Sequence, residues 1–574
     1  MAETIDYNLI CAQERTFKAL MDTQNNTLKE IADIMRAGAG QSPLLDDIYV
    51  AMLDGTRDTY RRVMRSWFLA NGAKTASTEE LTALVDKWYK ITRKKWVGGQ
   101  TFTQPSVANP STGTKFGDNA DMSSTPSTAT AKNQDDYEGN PLFAVTDCNW
   151  TLDESGNILI TALDGITDGF ERNNPSKLVG VLQQSAYVIS SEGDTEYSRG
   201  ISSHKISGYD YCKPYKEAVK MDGTMREWVC HSKYQAGMVN SKPTACSGII
   251  PTSESHNSDV SDSHILGNRY SATCHCDYDF LELMKQIKYG LASDSILQGC
   301  CDYYFYSLAK YAESGVKRVL LTSDPGFIVG STVKVANATS VSDSWGLRNL
   351  SALAWCKVRS IENVTVGDVQ YIAINLDTAE TFDTIVNDDI ANGNTVIMTT
   401  PWITGSTDIV DANDGGINPA SSKYPVKIQG IEYMLGQYEV IEDTILQYEA
   451  DGKQYEYIVS DATKEATSIT SDFVKHGGSP VPEANSWRYI KKMGFDGIFY
   501  PIEFGGSSST GHRDQCYMEA LTSGVRELLC FGNLDYGVTP AGMSCSSRSN
   551  ALSHRVWDIG SRLSCNGNRG EWSA

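Results

Sequence analysis

Positive charge is scarce in this chain of 574 residues: 50 Lys and Arg stand against 71 Asp and Glu, a formal net charge of −21. Nucleic-acid binding needs a basic face, so the balance argues against that class. Net acidity favours solubility and disfavours close approach to anionic membrane surfaces. Long apolar runs are missing as well. No stretch approaches the roughly eighteen apolar residues that cross a bilayer, so no membrane insertion is expected. The opening MAETIDYNLICAQERTF is acidic where a secretory leader is basic, and no apolar run follows it. Synthesis in a cytoplasm is expected. The 14 cysteines are scattered. Cys300-Cys301 and Cys274-x-Cys276 are the close pairs, and no second Cys or His pair follows at finger-like spacing. Buried reduced thiols, and no metal, are expected.

A further absence is local. From Gly532 to Gly560 there is no Lys, Glu or Gln, although all three are common elsewhere. What remains is a frame of Gly532, Asn533, Gly537, Ala541-Gly542, Asn550-Ala551-Leu552-Ser553, Trp557, Ile559-Gly560 and Arg562-Leu563. Between these stand Asp535, Tyr536, Val538, Thr539, Ser544, Ser546, Arg548, His554, Arg555, Val556 and Asp558. Met543 and Trp557 alone in the stretch need a purine in the third codon position, and every interstitial residue can arise by randomising the first two bases of an AAY codon. This points to a diversified binding surface. Tyr, at 29 against 15 Phe, suits such a surface and equally a β-rich core.

The run GNLDYGVTPAG…NALSHRVWDIGSRL resembles the C-terminal variable segment of proteins diversified by retroelements, the C-type-lectin-fold receptor-binding proteins that include phage tropism determinants. Upstream, Pro425 to Glu432 followed by Gly436-Gln437-Tyr438 resembles a strand of that family, and the Gly505–Thr510 turn is also typical. The resemblance is strong over 425–574, weaker over about 141–300, and absent from the N-terminus. It implies a lectin-like domain that binds a host-surface protein or glycan through side chains, without obligatory calcium or other cofactor. It further implies that residues 141–150 and 555–565 pair as strands, with Ile559, Arg562 and Leu563 in the terminal one.

Residues 4–97 read as helical. Leu20, Met21, Leu28, Ile31, Ile34 and Met35 fall at helical spacing, and Ala37 to Pro43 break that helix. A second helix is expected over about 44–71, and a third from the capping box Ser77-Thr78-Glu79-Glu80 to Trp96. This module, 1–97, reads as an anchor to other virion proteins and a site of oligomerisation, or as an independent bundle. Residues 98–140 are rich in Ser, Thr, Asn, Gly and Pro and read as an extended linker. Short strands are expected at 142–146, 158–160, 178–182, 227–230 and 247–251. A helix follows over Asp279–Tyr289, capped by Asp277 or Asp279. Residues 302–424 read as an inserted antiparallel barrel with a turn at Gly367-Asp368 and no cradle for phosphate. The expected fold class is therefore multidomain: an N-terminal α-helical module, and an α+β C-type-lectin-like domain (141–301 and 425–574) interrupted by a small all-β domain.

Catalysis finds little support. Ser507-Ser508-Ser509 with His512 and Asp514 supplies the residue types of a triad, but a triad is defined by geometry and this run reads as a tight loop. No motif singles out a carboxylate pair for glycoside hydrolysis. The lectin fold also serves formylglycine-generating enzymes, yet Cys530, Cys545 and Cys565 are spaced unlike their paired-cysteine site. The Glu-Pro-Asn loop of calcium-dependent sugar binders is missing, and Trp557-Asp558-Ile559 carries only part of their second motif. Trp557 reads as core. The expectation is a non-enzymatic, homotrimeric receptor-binding protein on an exposed virion appendage such as a tail. The competing class is a structural virion component, a head-decoration, fibre or baseplate protein whose fold serves assembly alone.

Overall fold

The computed structural model describes residues 43–292, 296–538 and 541–573; the helix expected before residue 37 and Thr539 lie outside them. Strands take up 34% and helices 13%, so the chain is mostly β. The helices are α1 (Pro43–Ala51), α2 (Arg57–Ala70), α3 (Thr78–Ile91), α4 (His256–Ser263) and α5 (His275–Tyr289).

One long helix expected over 44–71 is two. Asp54-Gly55-Thr56 interrupts it: the Asp54 carboxylate accepts from Thr56 N at 3.0 Å and Thr59 Oγ1 at 2.9 Å, and Gly55 takes a φ of 84°. The α3 capping box forms as expected, with Glu80 N donating to Ser77 Oγ at 3.2 Å and Ser77 N to Glu80 Oε2 at 2.8 Å. Ser77→Ala is expected to cost about 1 kcal/mol, read as a lowered midpoint of thermal unfolding. The helix ends at Ile91 rather than Trp96, because Val97 starts a strand.

These helices are not an independent bundle. Trp67, Phe68, Val85 and Trp88 share one core with Trp150, Ile160, Leu182 and Trp228, which lie on or beside the sheet of strands 146–152, 158–163, 178–184 and 228–232. Polar contacts seal the joint: Trp228 Nε1 donates to Asp86 at 2.6 Å, and Gln184 Nε2 to Tyr89 O at 2.6 Å. An all-round apolar helix face needs a second layer to cover it, and here the β-sheet supplies it.

The segment read as a linker is also built in. Val97–Thr103 and Thr114–Gly117 are strands, and the first pairs along its length with Glu196–Ser202 in a five-stranded sheet. Asn119 donates to Gly99 O at 3.0 Å and Ile287 O at 3.1 Å, while Glu138 accepts from Asn413 N at 2.6 Å. A polar segment cannot bury a core of its own, but its backbone can be bound to an existing sheet, where hydrogen bonds replace apolar burial.

Residues 306–399 form a six-stranded antiparallel sheet with a separate core around Val319, Val333, Val335, Ile374 and Ile397. Lys310 N donates to Leu320 O at 2.9 Å and brings its two edges together, so the sheet nearly closes into a barrel. Gly367, at a φ of 61°, makes the expected turn between Val366 and Val369. Both ends of the insertion return to one place: Cys300 N donates to Met434 O, and Trp402 N to Leu435 O.

The largest sheet has nine strands between residues 438 and 560, with Tyr438–Tyr448 near its middle. Against it lies α5, buried on every side except at Asp279. It begins four residues earlier than expected, and Asp277 sits inside its first turn, accepting from Cys274 N at 3.1 Å. Its polar side chains are paired: Glu282 with Lys285 at 2.8 Å, Lys288 with Asp414 at 2.5 Å, His275 with Glu456 at 2.7 Å. Buried charges persist only when so compensated. The chain's two implied ends do not pair as strands. Ile559-Gly560 runs parallel to Tyr438-Glu439, Leu563-Ser564 pairs with Ser271-Ala272, and Thr146–Leu152 pairs with strands 158–163 and 178–184. Leu142–Val145 and 247–251 are turns and loops instead of strands, buried or half-buried except at Gly248.

Candidate recognition surface

The segment 532–563 consists of two loops, separated by the short strand Ser546-Ser547, that end in the short strands Ile559-Gly560 and Leu563-Ser564. Its frame residues hold it. Asn533 Nδ2 donates to Asp558 at 2.5 Å and so ties the first loop to the second. Tyr303 N donates to Leu534 O at 2.9 Å and Gly537 N to Cys301 O at 2.7 Å. Ahead of α4, Glu254 N donates to Ile559 O at 2.8 Å, and within it Asn257 N donates to Leu552 O at 2.8 Å, bracing the second loop. Arg562 is buried with its guanidinium on Glu439.

The eleven interstitial residues do not share one face. Asp535, Val538, His554 and Arg555 are exposed, and Tyr536 and Val556 are half-buried. Tyr536 and Val556 both pack on Tyr438, Val440, Leu529 and Ile559, so the two loops adjoin. Ser544, Ser546, Arg548 and Asp558 are buried, which corrects their assignment to a binding surface. Ser544 Oγ lies 2.8 Å from Glu282 and 3.0 Å from His512 Nδ1. Ser546 sits in a strand between Cys516 and Cys530. Arg548 pairs with Glu456 at 2.5 Å; despite the cost of burial, Arg548 and His275 hold Glu456 at about 2. Burial pushes Asp558 up to about 6, against the Asn533 hydrogen bond. Codon composition carries no information about which way a side chain points, and small polar residues with internal partners are as compatible with the core as with solvent.

Residues outside the segment complete the surface. Trp487 and Tyr517, paired across neighbouring strands, are half-buried. Trp487 lies 5.0 Å from Tyr536 and 5.3 Å from Tyr517, so three aromatic rings form a row. The inserted barrel reaches the same region. Trp345 packs 4.7 Å from Trp557, Tyr304 stacks on Trp557 at 6.0 Å, and Arg348 lies 3.8 Å over Tyr304. Burial lowers Arg348 to about 10 against the pull of Tyr304, Asp535 and Asp558. Trp557 is core, as its sequence context indicates. Arg555 donates to Ser253 O at 2.6 Å and lies 3.3 Å from Glu254. No local pattern marks these neighbours in the sequence, because chain segments hundreds of residues apart bring them together.

Small pockets around Tyr215 and Phe280, around His231 and Arg562, and around Asp259 and Ser561 are lined by none of the exposed loop residues. The serines of the 505–511 turn bond one another, with Ser507 Oγ 3.2 Å from Ser509 and 3.0 Å from Thr510. His512 is buried and turned to Ser544 instead. Its Nδ1 faces both Ser544 and, at 3.5 Å, Glu282, whereas a triad engages the two ring nitrogens separately. Among the described residues there is no group of three or more His, Cys, Asp or Glu placed to hold a metal ion, and no helix is long and apolar enough to cross a membrane.

No protein-family model matches the chain. A search of the curated proteins gives no match either.

Proposed function

We propose that the chain is a receptor-binding protein of a phage virion, a retroelement-diversified lectin-like protein that meets a host-surface protein or glycan with the loops 535–538 and 551–556. The observation that carries the reading is the division of labour within 532–563: buried Asn533, Asp558 and Arg562 fix the backbone, while Asp535, Val538, His554 and Arg555 stand exposed on adjoining loops. The half-buried row Trp487, Tyr517 and Tyr536 adds the aromatic contact area at low entropic cost that binding surfaces favour. Several copies, as in a trimer anchored through 1–97, would raise weak single-site affinity by avidity.

The combined substitution Asp535→Ala, Val538→Ala, His554→Ala and Arg555→Ala is expected to reduce binding to host cells at least about tenfold. The midpoint of thermal unfolding should stay within roughly 2 °C, as exposed positions allow. Undiminished binding by the quadruple variant sinks the reading. Residues 530–560 found packed against other subunits in the intact particle would favour an assembly protein instead.

A further inference from the structure

Three thiols far apart in sequence meet in the core shared by the helices and the first sheets. Cys148 lies in strand 146–152, Cys230 in strand 228–232, and Cys565 directly after the short strand Leu563-Ser564. Cys230 Sγ is 3.5 Å from Cys565 Sγ and 3.8 Å from Cys148 Sγ, and all three residues are buried. The meeting is built into the sheet. Cys148 pairs with Gly180 on the intervening strand, and Leu182 of that strand pairs with Cys230. A Cβ at Gly180 would stand 2.7 Å from Cys230 Sγ, so only glycine there lets Cys230 lean across the strand towards Cys148.

We propose that Cys230 and Cys565 are a disulfide-forming pair, with Cys148 as a third thiol able to exchange with it, and that the bond fastens the C-terminal segment to the core once the protein meets an oxidising thiol–disulfide couple. The oxidant is a small-molecule disulfide such as glutathione disulfide. Cys230 thiolate attacks one of its sulfurs, expelling one glutathione thiolate and leaving a mixed disulfide. Cys565, its proton passed to solvent, then attacks Cys230 Sγ and expels the second. Two protein thiols are oxidised, and one glutathione disulfide becomes two glutathiones.

Cys230 is suited to the first step. Burial raises a thiol's pKa, but hydrogen bonds from Cys148 and Cys565, with the charges of His231 and Arg226, outweigh burial and hold Cys230 well below the ordinary range. Access needs the tail to lift, which breaks the strand pairs Ser271–Ser564 and Ala272–Leu563 and the bonds of Asn566 to Cys230 O and Asp277 and of Arg569 to Asp443, so the reaction belongs near the unfolding midpoint. The bond would close a ring across 335 residues, constraining the unfolded chain. A Cys148–Cys230 bond would join strands already held by the sheet and would not cross-link the tail.

The test uses the full chain, purified reduced and then exposed to glutathione disulfide near its unfolding midpoint, against a sample kept in dithiothreitol. The expected result is a fall from 14 free thiols to 12, recovery of a Cys230–Cys565 linked peptide, and removal of the tail by carboxypeptidase about tenfold slower than in the reduced form. Cys148→Ser should retain the link, and Cys565→Ser should lose it. Fourteen thiols persisting, or a linked peptide joining Cys230 to Cys148 alone, overturns the proposal. The wild-type peptide map decides even where a serine variant fails to fold.

Discussion

Arg548→Ala is expected to lose about 3–5 kcal/mol of stability, the cost of breaking a buried ion pair on one side. Glu456 sits with one oxygen 2.5 Å from Arg548 and the other 2.7 Å from His275. Gln454 Nε2 adds a 3.0 Å bond to Arg548 O. Removing the guanidinium leaves a carboxylate in the core with half of its compensation. Arg555→Ala is the control. Its side chain is 45% exposed, its partners are Glu254 and Asp262, and a surface pair contributes at most about 1 kcal/mol. Had both arginines belonged to a diversified surface, both variants would fold alike. Thermal unfolding of the two therefore distinguishes the buried from the exposed positions of the segment, and equal midpoints contradict the placement of Arg548.

The second large effect is on pH dependence. Several buried groups have pKa values above their ordinary ranges. Burial pushes Glu527 up to about 8 and Glu254 up to about 7, the latter against the pull of Arg555. Burial raises both Glu442, which Glu465 raises further, and Glu465, against its hydrogen bond with Glu442; the Ser271 hydroxyl lies 2.7 and 2.6 Å from them. Burial works against protonated His231, but Asp277 and Glu217 lift it to about 9; Asp279 and Glu456 likewise lift His275 to about 10. Each group binds its proton more tightly folded than unfolded, so each contribution is complete below the unfolded pKa and is lost as pH rises through the folded one. Between pH 7 and 9.5 the groups act in the same direction, and stability should fall by on the order of 5 kcal/mol. His256, pushed down to about 4 by burial, acts oppositely below that window, and within it Lys427, pushed down to about 7 by burial, and Cys230, held low against burial by Cys148 and Cys565, offset part of the fall. Urea midpoints across pH 7 to 9.5 test this, and a flat profile refutes it. Glu527→Gln should lessen the slope, since a neutral amide replaces the carboxyl that must stay protonated.

Much of the fold was legible where local chemistry decides it. The α3 capping box, the Gly367-Asp368 hairpin and the alternating runs of the barrel are satisfied within a few residues, and the structure contains them. The segment 98–140 was read wrongly because composition reports whether a stretch can bury a core of its own. It does not report whether a distant strand, here Glu196–Ser202, offers its backbone an edge. Helical structure over 44–71 and from Ser77 was legible, but neither the break at Asp54 to Thr56 nor the role of these helices as a β-sheet's cover. At the candidate surface, the frame residues were identifiable by type, whereas exposure was not. Asp535 and Asp558 look equivalent in sequence, and only the Asn533 side chain, which takes Asp558 inward, separates them.

The burial of α5 also sets the order in which the chain can become native. Its charges are neutralised by Asp135, His231, Asp414 and Glu456, and its Lys285 and Glu282 meet His512 and Ser544. Those partners are spread over some four hundred residues of sequence. Until the last of them has left the ribosome, the helix carries uncompensated charge and cannot enter the core. The barrel, whose strand pairing is all internal to 306–399, can form during synthesis before Trp345 meets Trp557. The surrounding body must wait for the C-terminal segment, and such long-range closure makes for slow folding.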